Sequence, residues 1–152
     1  MKEKADTSQK GKEDRGAEAL RLELAALIQL QEGNQETAID LLKQATAIED
    51  QMPLDFGPPW PMKPSHELFG EVLLELNRPE EARKQFELAL KRTPRRAFSL
   101  LGLARAAGKT GDNETALKTY RALNEIWHNA DNAIAALNEV RSAIELTRAG
   151  SE

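Results

Sequence analysis

The chain of 152 residues is 40% hydrophobic and 30% charged, carries a formal net charge of -4 and contains no cysteine. This composition is typical of a soluble, helix-rich globular protein, and it excludes disulfides, thiolate nucleophiles and cysteine-based zinc sites. The acidic balance argues against general binding of nucleic acid or of an anionic membrane. No apolar run approaches the ~20 residues that a membrane span requires.

The first sixteen residues, MKEKADTSQKGKEDRG, mix lysine and glutamate with almost no apolar side chain. They are predicted to form a disordered charged tail over 1–16. They also lack the apolar segment of a secretory signal. The expected location is therefore the cytoplasm, unless the chain is a fragment of a longer protein.

A period of 34 residues organises the rest of the chain. Four positions recur after that interval, with Ala82, Phe86, Ala89 and Pro94 matching Ala116, Tyr120, Leu123 and His128. The same spacing occurs earlier at Ala38, Leu42 and Ala45, offset by one period plus ten residues. The pattern predicts repeats over 19–52, 63–96 and 97–130, with a proline-rich insertion over 53–62.

Each repeat is predicted to be a pair of antiparallel helices that cross closely at a small side chain. Three such residues fall on the first helices, Ala26, Gly70 and Ala104, and three on the second helices, Ala38, Ala82 and Ala116. Bulky residues fill the remaining space, namely Leu42, Phe86 and Tyr120. The turns use residues that tolerate left-handed backbone, namely Gly33, Asn77 and Gly111.

The stretch HELFGEVL followed by EARKQFELALKRTP resembles the tetratricopeptide repeat, whose pattern is W-x2-L-G-x2-Y, then A-x3-F, then P. His66 and Leu73 replace the aromatic residues of that pattern, and His128 stands where proline is expected. The resemblance covers roughly 19 to 130. It implies an all-α, right-handed α-α superhelix of three helix pairs within a domain spanning 17–148.

The segment ADNAIAALNEVRSAIELTRAG is predicted to form one further helix over 131–148. Its apolar residues make a single stripe, Ile134, Leu137, Val140 and Ile144. The favoured interpretation is a helix that caps the last repeat. The alternative is a homodimer formed through this C-terminal helix.

The proline-rich insertion contains three large apolar residues, Leu54, Phe56 and Trp60. They are expected either to pack on the scaffold and fix the angle between repeats, or to line the binding groove. Similar proline-rich segments precede such repeats in bacterial proteins, which predicts a bacterial source.

No catalytic signature is found. His66 and His128 lie beside no evident nucleophile, and GLARAAGKTGD lacks the spacing of a phosphate-binding loop. Met52, Met62 and His66 offer ligands for copper(I), but gap-filling and packing roles explain them better. The chain is predicted to be no enzyme and to hold no metal or cofactor.

The resemblance implies that a peptide or another protein binds in a concave groove lined by the first helices. One subclass of the family clamps a C-terminal carboxylate with basic and amide side chains. The matching positions here are neither basic nor amides, namely Glu23, Leu27, Leu68, Phe98 and Gly102. A clamp of that kind is therefore not expected.

Eight residues are predicted to contribute to the groove: Glu67, Glu71, Glu75, Phe98, Leu101, Arg105, Lys109 and Trp60. The three glutamates are spaced by four and form an acidic ridge. Arg105 and Lys109 follow Glu71 and Glu75 by one period. These charges are expected to pair with each other, and the alternative is that they recognise a charged peptide.

The stretch KRTPRR concentrates cations at a helix end. A favourable interaction with the helix dipole explains it better than RNA binding, so no nucleic-acid partner is predicted. The predicted function is a non-catalytic protein–protein interaction module. The alternative is an oligomerisation or accessory structural domain of a larger protein.

Overall fold

The computed structural model describes the backbone of residues 2–53, 63–130 and 135–149, with the side chains of 14–53, 63–130 and 135–145. The described residues form seven helices and no strand: α1 Lys2–Gln31, α2 Gln35–Asp50, α3 Ser65–Glu75, α4 Pro79–Arg92, α5 Ala97–Lys109, α6 Asn113–Ile126 and α7 Ala135–Ala149. Three helix pairs followed by a single helix confirm the predicted all-α class. The chain divides into two compact units, Met1–Phe69 and Gly70–Glu152.

In the first unit, α1 packs against α2. Ala26 and Ala38, the predicted small residues of this pair, are fully buried, as is Leu42. The backbone N–H of Ser65, the first residue of α3, donates to the carboxylate of Glu49 on α2. This bond gives the start of α3 an acceptor that its own helix cannot supply.

α1 begins at Lys2, which corrects the prediction of a disordered tail over 1–16. The disordered tail was predicted because the segment has too few apolar residues for a core of its own. Lysine, glutamate, glutamine and alanine nevertheless have high helix propensity, and the segment contains no proline. The helix that packs on α2 can therefore extend towards the N-terminus through this segment.

In the second unit, α4 packs on α5, α5 on α6, and α6 on α7. Phe86 of α4 is fully buried, and its ring occupies the space above two glycines, Gly70 of α3 and Gly102 of α5. A Cβ atom at Gly70 would lie 2.8 Å from the ring, and one at Gly102 would lie 2.2 Å from it. The missing side chains are thus what admit the aromatic residue between these helices.

The three helix pairs close through the same turn. Gly33, Asn77 and Gly111 have φ values of 83°, 56° and 80°. In each turn the next residue's N–H bonds to a carbonyl five residues earlier, as from Asn34 to Gln29 at 2.8 Å and from Asp112 to Ala107 at 3.0 Å. This is the Schellman arrangement, and it confirms the prediction for these residues.

α7 closes the second unit. Leu137 and Val140 are fully buried, and Val140 belongs to a core cluster with Leu101 and Leu123. Ile144 packs against the same cluster. The apolar stripe of α7 therefore caps the last helix pair, as the favoured interpretation predicted. A homodimer through this C-terminal helix stays a prediction.

Candidate functional site

An open pocket of about 690 Å³ lies on the second unit. Its walls are α3 and α5, and Tyr120 of α6 contributes one side. The lining residues are Glu71, Leu74, Glu75, Ala104, Arg105, Gly108, Lys109 and Tyr120. A pocket of this size can hold a few side chains of a peptide or of another protein.

Opposite charges line the two helical walls of this pocket. Glu71 and Glu75 lie one turn apart on α3, while Arg105 and Lys109 lie one turn apart on α5. Small and apolar positions lie between them. All four charged residues were predicted as groove residues, and the structure brings them to one pocket. The arrangement can bind a ligand that carries charges of both signs.

Arg105 is held by a carboxylate from α7. Its Nε donates to Glu139 Oε1 at 2.9 Å and its Nη2 donates to Glu139 Oε2 at 2.6 Å. The Tyr120 hydroxyl donates to the same Glu139 Oε1 at 2.8 Å. Hydrogen bonding to Arg105 lowers the pKa of Glu139, while burial and the bond to Glu139 raise the pKa of Tyr120.

The predicted pairing of Glu71 with Arg105 is therefore wrong as a direct contact. The hydrogen-bonded partner of Arg105 is Glu139, and Glu71 adds only a weaker attraction that helps raise the pKa of Arg105. Among the described ion pairs, none joins Glu75 to Lys109. Those two charges, both exposed, remain available to a ligand.

Two predicted groove residues are buried instead. Glu67 is only 1% exposed. Glutamates spaced by four do not share one face, because each step of four residues turns the side chain further around the helix. The acidic ridge thus winds from buried Glu67 through half-buried Glu71 to exposed Glu75. Leu101 is 4% exposed and packs in the core beneath α7. Neither residue lines the pocket.

Of the two aromatic residues predicted to line the groove, Phe98 lies at the surface and Trp60 lies outside the described residues. Phe98 is 56% exposed at the start of α5, and its ring meets Trp127 edge-on with 6.3 Å between centroids. Its exposure agrees with a surface role. Trp60, together with the rest of 54–62, lies outside the described residues. The two roles predicted for the insertion stay predictions.

Sequence reasoning missed Glu139, which holds Arg105 in place. The signal was present, because Glu139 follows Arg105 by the same 34 residues that separate Arg105 from Glu71. Extending the period into α7 identifies that helix as equivalent to a first helix. Tyr120 was predicted as a packing residue, and it also forms part of the pocket wall.

A second surface pocket, of about 520 Å³, lies beside α4 and is lined by Glu80, Arg83, Lys84, Glu87, Thr110 and Asp112. Arg83 bonds to Glu87 at 3.0 Å and to Asp112 at 2.8 Å. Asp112 also accepts the N–H of Thr115 and so caps α6. Arg83, Glu87 and Asp112 thus pair with one another, and the smaller volume makes this pocket the weaker candidate.

Two of the residues weighed as copper(I) ligands, Met52 and His66, are buried. The Nε2 atom of His66 lies 3.1 Å from Asp50 Oδ1. Met62 lies outside the described residues. Within the described ranges, no group of three or more histidine or acidic residues could hold a metal ion. The same ranges contain no helix long and apolar enough to cross a bilayer.

The positions that match a carboxylate clamp offer no basic or amide group in the structure. Glu23 is buried, and Gly102 lies under the ring of Phe86. Leu27 and Phe98 present apolar surface, and Leu68 is half-buried.

Two family models, each described as Tetratricopeptide repeat, match residues 64–96 and 98–127. Comparison with curated proteins finds no match. The predicted repeats over 63–96 and 97–130 overlap the two matched segments.

The fold is similar to that of solved tetratricopeptide domains. The first domain of Spaghetti (RPAP3), bound to the HSP90 peptide SRMEEVD, aligns with a TM-score of 0.66 and 18% identity over 90% of this chain and 96% of that one. The Sgt2 domain from Aspergillus fumigatus aligns with a TM-score of 0.64 and 21% identity over 89% and 84%. Residues 64–96 and 98–127 are therefore tetratricopeptide repeats, and the chain has the fold of a tetratricopeptide-repeat domain.

Proposed function

We propose that the chain is a non-catalytic protein–protein interaction module whose ligand is a peptide or protein segment bound in the pocket between α3 and α5. The observation that carries the proposal is the pocket itself, with opposite charges on its two walls and small or apolar residues between them. The pocket is open to the surface, so a ligand segment can lie across it.

The charges define the chemistry of the preferred segment. Glu75 on α3 and Lys109 on α5 are exposed, whereas Arg105 is already engaged by Glu139. A segment that presents a basic side chain to α3 and an acidic one to α5 complements both walls. An apolar side chain between them would pack on Leu74 and Ala104. Complementary charges of this kind fix the direction of a bound segment more than they raise its affinity.

The neighbour bound to an HSP90 peptide supports a peptide as the class of ligand. It does not carry over the sequence of that peptide, because the clamp positions of this chain lack basic and amide side chains. We expect the chain to leave SRMEEVD unbound and to select segments of mixed charge.

Selection from a displayed peptide library tests the proposal. Recovered segments should combine basic, apolar and acidic positions, and Lys109→Glu should weaken their binding at least about tenfold, because it reverses the charge of one wall. Lys118→Glu, the same charge change at an exposed position of α6, is the matched control and should bind normally. Failure to recover any segment, or equal losses in both variants, would overturn the proposal.

A second candidate function is self-association or support of a neighbouring domain. An exposed apolar face on α1, which includes Leu24 and Ile28, favours it. The cytoplasmic location and the bacterial source stay predictions.

A further inference from the structure

α1 carries an apolar face that the described part of the chain leaves uncovered. Leu24 is 62% exposed, Ile28 57% and Leu27 38%. Half-buried Leu20 continues the series, so that the four residues follow one helical stripe. The opposite side of α1 packs on α2. We call these four residues, Leu20, Leu24, Leu27 and Ile28, the α1 face.

The internal repeat shows what such a face ordinarily contacts. Ala26 of α1 and Ala104 of α5 are equivalent crossing residues. By the same offset, Leu24 corresponds to Gly102 of α5 and Ile28 corresponds to Ala106. In the second unit, Gly102 packs under Phe86 of the preceding helix α4, and Ala106 is fully buried. The equivalent side of a first helix is thus a helix-packing surface. In α1 it bears large aliphatic residues, and they are exposed.

We propose that the α1 face binds the α1 face of a second copy of this chain, with the two helices antiparallel. Charge complementarity favours this occupant. Arg21 and Glu32 are exposed and flank the stripe on the same side, one beyond each end of the Leu24–Ile28 region. When Leu24 packs on Ile28 of the partner subunit, Arg21 approaches Glu32 of the partner subunit, and two-fold symmetry repeats the pair.

The opposite orientation lacks these ion pairs. In a two-fold symmetric parallel pair, Arg21 and Glu32 of one copy would lie on one side of the stripe and those of the partner subunit on the other, so that neither Arg21 could reach Glu32 of the other copy. The present partner of Arg21 is Glu18 on the same helix, in an exposed pair that leaves the guanidinium reachable. Because the antiparallel interface uses the same surface on both copies, it closes as a dimer and does not extend into filaments.

Sedimentation equilibrium of the full chain over ~1–100 μM, a range that covers weak specific pairs, tests the proposal. The chain should form dimers, and Leu24→Glu combined with Ile28→Glu should weaken dimerisation at least about tenfold while helicity stays unchanged. Leu88→Glu, at another exposed leucine on α4, is the control and should dimerise normally. A chain that stays monomeric, or a dimer insensitive to the double variant, overturns the proposal. A monomeric chain whose melting temperature falls in the double variant would instead show that another part of the same chain covers the face.

Two further measurements test the orientation. Arg21→Glu and Glu32→Arg should each weaken dimerisation, and the two together should restore it. Because the chain has no cysteine, a mixture of Leu24→Cys and Ile28→Cys should form the mixed disulfide in preference to either symmetric one. Antiparallel packing would be contradicted if the Arg21→Glu, Glu32→Arg double variant failed to recover dimerisation. A preferred disulfide between two copies of Leu24→Cys would contradict it as well.

Discussion

Phe86 is the residue on which the packing of the second unit depends. Its ring is fully buried and lies against the backbone of two helices at Gly70 and Gly102. The sequence pattern identified Gly70 as a crossing residue and Phe86 as its bulky partner. The role of Gly102 was missed, because it lies one repeat further along the chain and was considered only as a groove position.

Gly102→Ala should destabilise the chain by about 1–3 kcal/mol, because the new Cβ atom would lie 2.2 Å from the Phe86 ring and force it to move. Gly108→Ala is the matched control on the same helix. A Cβ atom at Gly108 would have no neighbour within 4 Å, and alanine has the higher helix propensity, so we expect up to ~1 kcal/mol of stabilisation. Urea unfolding measures both, and equal effects would contradict the packing described.

Glu23 is a buried carboxyl group in the first unit. Burial raises its pKa, the hydroxyl of Ser65 partly offsets that effect, and the negative charge of Glu49 adds to it. The folded state therefore favours the protonated form. The stability that Glu23 contributes is fully present below its unfolded-state pKa of ~4.3 and is lost as the pH rises through the raised folded-state pKa.

Glu23→Gln keeps the side chain neutral at every pH. We expect it to raise the melting temperature at pH 7 and to give a smaller gain, or none, at pH 4, as measured by thermal unfolding at both values. Glu75→Gln, at an exposed position of α3, controls for the change in net charge. A gain that is the same at both pH values would show that Glu23 is not a source of pH dependence.

At the scale of elements, the attachment of α7 combines apolar burial with one polar network. Val140 packs with Leu101 and Leu123, while Glu139 binds Arg105 and Tyr120 from two other helices. Because of this network, Arg105→Glu would change the stability of the chain as well as any ligand binding. That change would place a carboxylate against Glu139 and weaken the cap, whereas Lys109 can be changed without touching this network.

A double-mutant cycle of Arg105→Ala and Glu139→Ala should give a coupling free energy of ~0.5–1 kcal/mol, since both side chains are partly exposed to solvent. The pKa of Glu139 is lowered in the folded state, so this contribution is present above the unfolded-state pKa and is lost as the pH falls through the lowered value. Urea unfolding at neutral and acidic pH measures the coupling. Additive single effects at neutral pH would contradict the pairing.

For the whole molecule, the sequence predicted the features that repeat. Small residues at helix crossings and left-handed turn residues occur at fixed intervals, and the structure confirms them at Ala82 and Gly111. The sequence did not predict how each helix is rotated about its own axis. An alignment by period shows which residues are equivalent but does not show which of them face the core. Glu67 and Leu101 were therefore assigned to the groove although both are buried.

The charges of the pocket show the same limit. Spacing placed Glu71 and Arg105 on neighbouring helices, and both line the pocket. Their pairing could not be inferred from two helices alone, because the carboxylate that binds Arg105 comes from α7. Glu71 and Glu139 both lie 34 residues from Arg105, and sequence spacing alone does not show which of the two carboxylates hydrogen-bonds to it.

The central claim is that the pocket between α3 and α5 is the surface that binds a partner. Amide-resolved NMR of the chain, titrated with a segment recovered by peptide selection, tests it most directly. We predict that the largest shifts occur at Leu74, Glu75, Ala104, Gly108 and Lys109, and that Lys109→Glu removes them. Shifts centred on Lys84 and Lys118, with the pocket unaffected, would contradict the claim.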